Sequence, residues 1–373
     1  MATSLLLIAG MCLCCARSGV ATGNSQPGAG ASGPGPLEQK ARYCEEQVFT
    51  YHLQEGLVIP QRVDPTGQAR YTNDNAGYRT GCLLSALAHR WAVTGEANAR
   101  ERARQVTGAL EMLERVTGVP GLTSRQYKRM QGPGDDENDW LQDYWHQGEE
   151  YRWLGNVSTD EMTWYLTGLG DYVMLCAEGE DRRLASALIR RVLGRMLRYG
   201  MRITEADGTV TDWGDCSLES SREPLFSQHG LHYLKVGELC AFDERFADAY
   251  EQYASDQDYL YQSVHCCRLG VAEHTWADYD WELAAPGYEL LIKFDKDPSR
   301  RAALKEGLLE MAQARHTNVF SHLCTAVLRL GGDEKVRDWL VGFDAEGADG
   351  VGKGWYVWVY WKARAAGIVG EGE

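Results

Sequence analysis

Two neighbouring stretches of the sequence decide the fold: residues 161–176, EMTWYLTGLGDYVMLC, and residues 181–201, DRRLASALIRRVLGRMLRYGM. The first stretch is almost entirely apolar, so a helix formed there has no polar face and should be buried on most sides. The second combines arginines with leucine, valine and methionine at the 3.6-residue period of a helix that is half exposed to water. These two stretches therefore predict an inner helix followed by an outer, amphipathic one.

The same order of an inner and then an outer helix recurs along the chain. Further pairs are predicted at 77–93 with 96–116, 225–240 with a helix from 244, 279–294 with 299–315, and 319–330 with 334–340. An opening and a closing helix are predicted at 37–53 and 355–366. Because each helical hairpin buries one face against its neighbours, the hairpins must stack, and closing the stack into a ring leaves a central funnel. The sequence therefore predicts an all-α fold, an (α/α)6 toroid or barrel, with a short hairpin at 204–213.

The amino-terminal residues are predicted to form an export signal, residues 1–22, and a tether, residues 23–36, ahead of one toroid domain, residues 37–373. The apolar run that begins at Leu5 is too short to span a bilayer but suits a signal peptide, although no Lys or Arg precedes it. The tether has a composition that cannot bury enough surface to fold. We expect an exported protein, and the cysteines of the leader leave a lipid anchor as an open alternative.

The composition limits the class of partner. A net charge of −15 disfavours nucleic acid and anionic membrane surfaces, since both require clustered Lys and Arg. Of the 11 cysteines, three lie in the leader; the others are either paired in disulfides, as in many exported proteins, or are small buried hydrophobes. Beyond the leader there is no CxxC pair and no His/Cys spacing typical of zinc, so we expect neither a metal nor a cofactor.

Polar clusters open the first two inner helices. Asp74 precedes the first helix, and Asp160 and Glu161 stand in the first turn of the second. Acids in a first turn, behind a Ser or Thr cap, complement the helix dipole, and this structural role is one interpretation. The helix that they open is too apolar to face water, however, so the acids should look into the cavity of the ring. We therefore take Asp160, Asp74 and Glu161 as candidate catalytic carboxyls.

A third cluster, residues 273–282, EHTWADYDWE, combines acids and indoles before another inner helix. Sugar rings stack their apolar faces on Trp and Tyr while acids and amides bind hydroxyl groups, so this composition suits a glycan cleft. The aromatic loop 139–153 should form a wall of the same cleft. The candidate substrate-binding residues in these two segments are Trp153, His274, Trp276 and Asp280.

Three functions fit these residues. Two acids set across a sugar can act as general acid and as base or nucleophile, which favours a glycoside hydrolase on uronic-acid-containing or related oligosaccharides or polysaccharides, with Asp160 and Asp74 as the leading pair. In a polysaccharide lyase, a neutral His or Tyr would instead remove a proton beside a uronic carboxylate that Asn or Arg neutralises. The residues for this elimination would be His229, His232, His322, Asn75, Tyr78, Arg79 and Asn156. A non-catalytic glycan-binding or cell-surface protein is the third function.

Three motifs, in order, resemble a family of exported bacterial α/α-toroid proteins: DNAGYRT at 74–80, VTGVPG at 116–121 and GNVSTDE at 155–161. Members of that family often read DNDGLWT, VTGVPG and GDTSSDE at these places, and the resemblance, with a later DWEL at 280–283, covers roughly residues 74–318. It implies the toroid fold and a likeness to toroid glycoside hydrolases and polysaccharide lyases, with no settled reaction for the family itself.

Two departures from the family pattern bear on activity. Ala76 and Asn156 stand where the family often has Asp. If either missing acid is the catalytic one, this chain is a binding or degenerate member. Asp74, Asp160 and Glu161 match by position the acids that head inner helices in the unsaturated glucuronyl hydrolases.

Residues at the amino-terminal ends of the inner helices should meet at one end of the ring, because inner helices of a toroid run parallel. The residues expected there are Asp74, Arg79, Asp160, Glu161, Asp280 and Trp276. The positive helix ends at that mouth would favour an anionic sugar.

Overall fold

The computed structural model describes residues 35–62, 75–130, 143–219, 223–272, 280–314 and 318–373. Most of them are helical, and within these ranges there are fourteen α-helices and seven short strands in three small sheets. The all-α prediction is thereby confirmed at the level of a mostly helical chain.

The elements are numbered in chain order. The helices are α1 (Pro36–Tyr51), α2 (Ala76–Thr94), α3 (Ala97–Arg115), α4 (Thr159–Asp171), α5 (Gly179–Arg198), α6 (Pro224–Cys240), α7 (Glu244–Ser255), α8 (Gln257–Val264), α9 (Cys266–Ala272), α10 (Asp280–Phe294), α11 (Pro298–Ala314), α12 (Val319–Val327), α13 (Asp333–Gly342) and α14 (Gly350–Ala365). The strands are β1 (Leu53–Gln54), β2 (Leu57–Val58), β3 (Gln126–Arg129), β4 (Trp145–Gln147), β5 (Tyr151–Leu154), β6 (Arg202–Thr204) and β7 (Val210–Asp215). A π-helical turn, Tyr172–Cys176, continues α4.

Six helices are buried along most of their length, and they contact one another in cyclic order. The order is α2, α4, α6, α10, α12, α14 and back to α2. The amphipathic helix that follows each of the first five packs against its predecessor, so α3, α5, α7, α11 and α13 cover the buried set. The predicted alternation of inner and outer helices is present in this arrangement, with helix ends that differ from the predicted ones by a few residues.

Helices α2 and α4 touch through their backbones. A Cβ atom on Gly81 would lie 2.1 Å from the carbonyl oxygen of Trp164, and one on Gly168 would lie 2.3 Å from the carbonyl oxygen of Gly81. No side chain fits at either position, so glycine is required on both helices where they cross. This contact fixes how the first turns of α2 and α4 lie beside each other.

Aromatic side chains fill the space between the buried helices. The ring of Trp164 on α4 packs edge-on against Trp358 on α14, with centroids 5.0 Å apart, and against Phe320 on α12 at 6.2 Å. Tyr78 on α2 meets Trp164 at 6.1 Å. Four of the six buried helices therefore share one aromatic core.

A group of paired polar side chains lies in the second halves of the same helices. Lys362 of α14 forms an ion pair with Glu289 of α10 at 3.0 Å, and His89 of α2 lies 3.5 Å from a carboxylate oxygen of Asp171 on α4. Pairing offsets the free-energy cost of burying each charge alone.

The eight cysteines of the described residues are all reduced and buried, so they act as small apolar side chains and form no disulfides. Within the same residues, no helix has both the length and the apolar character needed to cross a bilayer.

Two parts of the fold differ from the sequence prediction. The hairpin of β6 and β7 lies where 204–213 predicted one, but the three-stranded antiparallel sheet β3–β5–β4 falls partly on the segment taken as an aromatic loop. Short helices α8 and α9 follow α7, and α1 begins at Pro36, the last residue of the predicted tether.

The glycine contact generates a stability prediction. Gly81→Ala should lower the free energy of unfolding by about 1–3 kcal/mol, because the added methyl group must push α2 and α4 apart. Gly108→Ala is the matched control. Gly108 lies inside α3 with no atom within 4 Å of its Cβ position, so this substitution should raise the free energy of unfolding by about 0.5–1 kcal/mol. Urea unfolding of both variants measures the difference, and equal stability of the two would contradict the backbone contact.

Candidate functional site

The first turns of α4 and α10, and the residue before α6, bring acidic side chains together, and Tyr78 from the first turn of α2 meets them. Asp160 is the second residue of α4, Asp280 and Glu282 lie in the first turn of α10, and Glu223 directly precedes α6. Their charges act on one another, since Asp280 and Glu223 both contribute to the raised pKa of Asp160. We call Asp160, Asp280, Glu282 and Tyr78 the mouth cluster.

Asp160 holds its proton near neutral pH. Burial is the largest cause, followed by the negative charges of Glu161 and Asp280, and together they raise the pKa of Asp160 to about 8. The nearby guanidinium of Arg125 opposes this shift. A carboxyl with a pKa in this range can donate a proton at pH 7, which an ordinary aspartate cannot do.

Glu282 is the second carboxyl of the mouth cluster with such a pKa. Burial, together with the charges of Asp160 and Asp280, raises the pKa of Glu282 to about 8, although the Tyr78 hydroxyl donates a hydrogen bond to its Oε1 atom and Arg79 lies near. Tyr78 stands on α2 and Glu282 on α10, which are not neighbours in the cyclic order of buried helices. This hydrogen bond therefore spans the centre of the helix set.

Glu161 has a structural role at the start of α4. Its Oε2 atom accepts hydrogen bonds from the Ser158 backbone N–H at 2.8 Å and from the Ser158 hydroxyl at 2.5 Å, which closes a capping box at the start of α4. Its Oε1 atom forms an ion pair with Arg125 at 3.1 Å. Both oxygens have structural partners, so of the two adjacent acids Asp160 is the better candidate for chemistry.

Asn156 also has structural partners. Its side chain donates from Nδ2 to Asp212 and accepts at Oδ1 from the Asp212 backbone N–H, each at 3.0 Å. Its backbone is left-handed, with φ of 53°, a conformation that asparagine tolerates better than most residues. An Asp at this position would set two carboxylates against each other, so the departure from the family pattern suits this local structure.

Of the remaining predicted residues, Asn75 and Arg79 interact with groups at the helix starts, and Trp153 is packed inside the sheet. Asn75 and Arg79 belong to the mouth region: Asn75 accepts a hydrogen bond from Arg125 at 2.7 Å, and Arg79 lowers the pKa of Glu282. Trp153 lies in β5, buried, with one face stacked on His146 at a centroid distance of 4.0 Å. That face is not available to a sugar ring.

The predicted histidines are packed among other side chains. His229 is fully buried on α6, stacked between Phe226 and Tyr233, and burial lowers its pKa well below the usual value. His322 is buried on α12. Asp74, His274 and Trp276 lie outside the described residues, and their roles stay predictions.

Sequence reasoning missed Glu282 and Arg125 as site residues. Glu282 was visible as an acid inside an otherwise apolar helix, DWELAAPGYELL, but its contact with Tyr78 joins residues 204 positions apart. Arg125 lies in the segment between α3 and β3, where no helical period indicates which way its side chain points. Both positions depend on how the helices assemble.

Comparison of the chain with protein-family models, curated proteins and solved structures found no match in any of the three. The resemblance to the toroid family therefore remains a prediction from motifs.

The raised pKa of Asp160 predicts how stability depends on pH. Between about pH 4 and pH 8 the folded protein keeps the Asp160 proton, whereas the unfolded chain, with a carboxyl pKa of about 4, releases it. The contribution of Asp160 to the free energy of unfolding should therefore fall as the pH rises through this range. Asp160→Asn cannot ionise and escapes this loss. The free energy of unfolding of Asp160→Asn should exceed that of the wild type by at least about 1 kcal/mol at pH 8 and should match it near pH 4.

Urea unfolding across this pH range measures the effect. Glu101→Gln, which removes an exposed acid paired with Arg104, is the control and should leave the slope between about pH 6 and pH 8 unchanged. Parallel stability curves for the wild type and Asp160→Asn would show that Asp160 ionises normally.

Proposed function

We propose that the fold is an (α/α)6 toroid. The cyclic contacts of α2, α4, α6, α10, α12 and α14 support it, as does the outer helix that packs on each of the first five. The meeting of the first turns of α2, α4 and α10 in the mouth cluster is the placement that parallel inner helices would produce. The mouth of the toroid would then be the end at which those helices begin.

We propose that the protein is a glycan-degrading enzyme, a glycoside hydrolase acting on uronic-acid-containing or related oligosaccharides. The observation that carries this proposal is the pair of carboxyls, Asp160 and Glu282, whose pKa values are both raised to about 8 within one cluster. Glycoside hydrolysis requires a carboxyl that protonates the departing oxygen and a second one that activates water or attacks the sugar. Asp160 is the leading acid and Glu282 is a second candidate for that role, while Asp74 stays the candidate for the ionised partner.

The electrostatics favour an anionic sugar in spite of the net charge. Two carboxyls that keep their protons near pH 7 add little negative charge to the mouth, and Arg79 and the positive ends of three buried helices lie beside them. A uronate would meet less repulsion there than the overall charge of −15 implies.

Hydrolysis is favoured over elimination at this site. A lyase needs a neutral histidine or an ionised tyrosine as base, but the pKa of Tyr78 is raised well above its usual value by burial and by Glu282. His229 and His232 are fully buried, and His229 is stacked between aromatic rings, so neither side chain is exposed to a substrate. We further propose that the chain is exported and that the leader is removed, which amino-terminal sequencing of the secreted protein would test.

The activity is tested with a panel of neutral and uronic-acid-containing oligosaccharides. Hydrolysis releases reducing ends without ultraviolet absorbance, whereas elimination creates a conjugated, absorbing uronate. Asp160→Asn and Glu282→Gln should each lower kcat by about 10²–10⁴-fold while the proteins remain folded. The exposed-acid control Glu101→Gln should keep wild-type rates.

Binding of the oligosaccharides without release of reducing ends over long incubation would contradict the enzymatic proposal and favour a glycan-binding protein. Appearance of the ultraviolet absorbance would assign elimination instead.

A further inference from the structure

Arg125 lies between α3 and β3, is 4% exposed, and touches the starts of two buried helices. Its Nη2 atom donates to the Asn75 side chain at 2.7 Å, and Asn75 is the residue before α2. Its Nη1 atom donates to the Asn156 carbonyl at 2.8 Å, in the turn that leads to α4. The ion pair with Glu161 adds a third contact, inside the first turn of α4.

The backbone of Arg125 also links the start of α2 to the strand that precedes α4. Its carbonyl accepts from the Gly77 N–H at 3.2 Å in the first turn of α2, and its own N–H donates to Leu154 at the end of β5 at 2.8 Å. A planar guanidinium presents its donors in a fixed fork, so contacts to three groups at once constrain their relative positions more tightly than a lysine ammonium does.

We propose that Arg125 is the positioning residue of the mouth cluster: it holds the first turns of α2 and α4 in register, so that Tyr78 and Asp160 face the same space. Because it assigns a role in catalysis, this inference rests on the proposed function. Arg125 acts through Asn75, Asn156 and Glu161. The charge of Arg125 also acts on Asp160.

The charge of Arg125 gives this role a signature that a merely structural residue lacks. Arg125 lowers the pKa of Asp160 and also neutralises Glu161, whose negative charge raises that pKa. Removing the guanidinium therefore acts on Asp160 twice in the same direction. A nearby charge of this kind typically moves a carboxyl pKa by about 1–3 units.

The test compares Arg125→Met, which removes charge and fork, with Arg125→Lys, which keeps the charge alone. Carboxyl ¹³C NMR follows the titration of Asp160, identified by the signal that Asp160→Asn lacks. The methionine variant should raise the pKa of Asp160 by about 1 unit or more, and the lysine variant should restore it. Both should lower kcat by at least about tenfold, because neither holds the two helix starts in register.

Arg90→Met is the control, since Arg90 is a buried arginine on α2 paired with Glu45 and Glu96 away from the mouth cluster. It should lose stability while the titration of Asp160 stays unchanged. An Asp160 pKa that does not move in Arg125→Met overturns the proposal; if that variant does not fold, wild-type turnover in Arg125→Lys overturns it. The NMR titration needs no substrate, so a failed hydrolase assignment is distinguished from a failed role for Arg125.

Discussion

The crossing of α2 and α4 at Gly81 and Gly168 is the constraint from which the arrangement of the site follows. Backbone contact brings the two helices closer than any side chain would permit. At this spacing Tyr78 can pack on Trp164 while one arginine bridges both helix starts. A wider crossing would leave a gap beside the aromatic core and separate the first turn of α2 from that of α4.

The mouth cluster shows how neighbouring acids are accommodated inside the helix set. Two of its carboxyls keep their protons near neutral pH, so little ionic charge has to be buried. The second halves of the same helices use the opposite arrangement, where Lys362 meets Glu289 and charges are compensated in pairs. At the mouth cluster, protons on Asp160 and Glu282 therefore reduce the buried charge that has to be compensated.

The sequence predicted the helices because burial follows a 3.6-residue period, and the apolar run at 161–176 and the arginine-rich run at 181–201 lie on α4 and α5. It did not predict β3, β4 and β5, since strands of three or four residues are too short to show an alternating pattern. Of the site, Asp160 was identified from its place at a helix start. The pairing of Tyr78 with Glu282 was not, because it depends on a tertiary contact across the helix set.

The reactivity of the buried cysteines can report local unfolding of the protein. The eight cysteines of the described residues are buried, and burial raises the pKa of those on α2, the π-helical turn after α4, α6, α9 and α12. A thiol-reactive reagent in solution should then modify each cysteine only after the surrounding helices separate. The labelling rate of each cysteine would measure the free energy of local unfolding around it, which maps cooperativity around the helix set with no introduced probe.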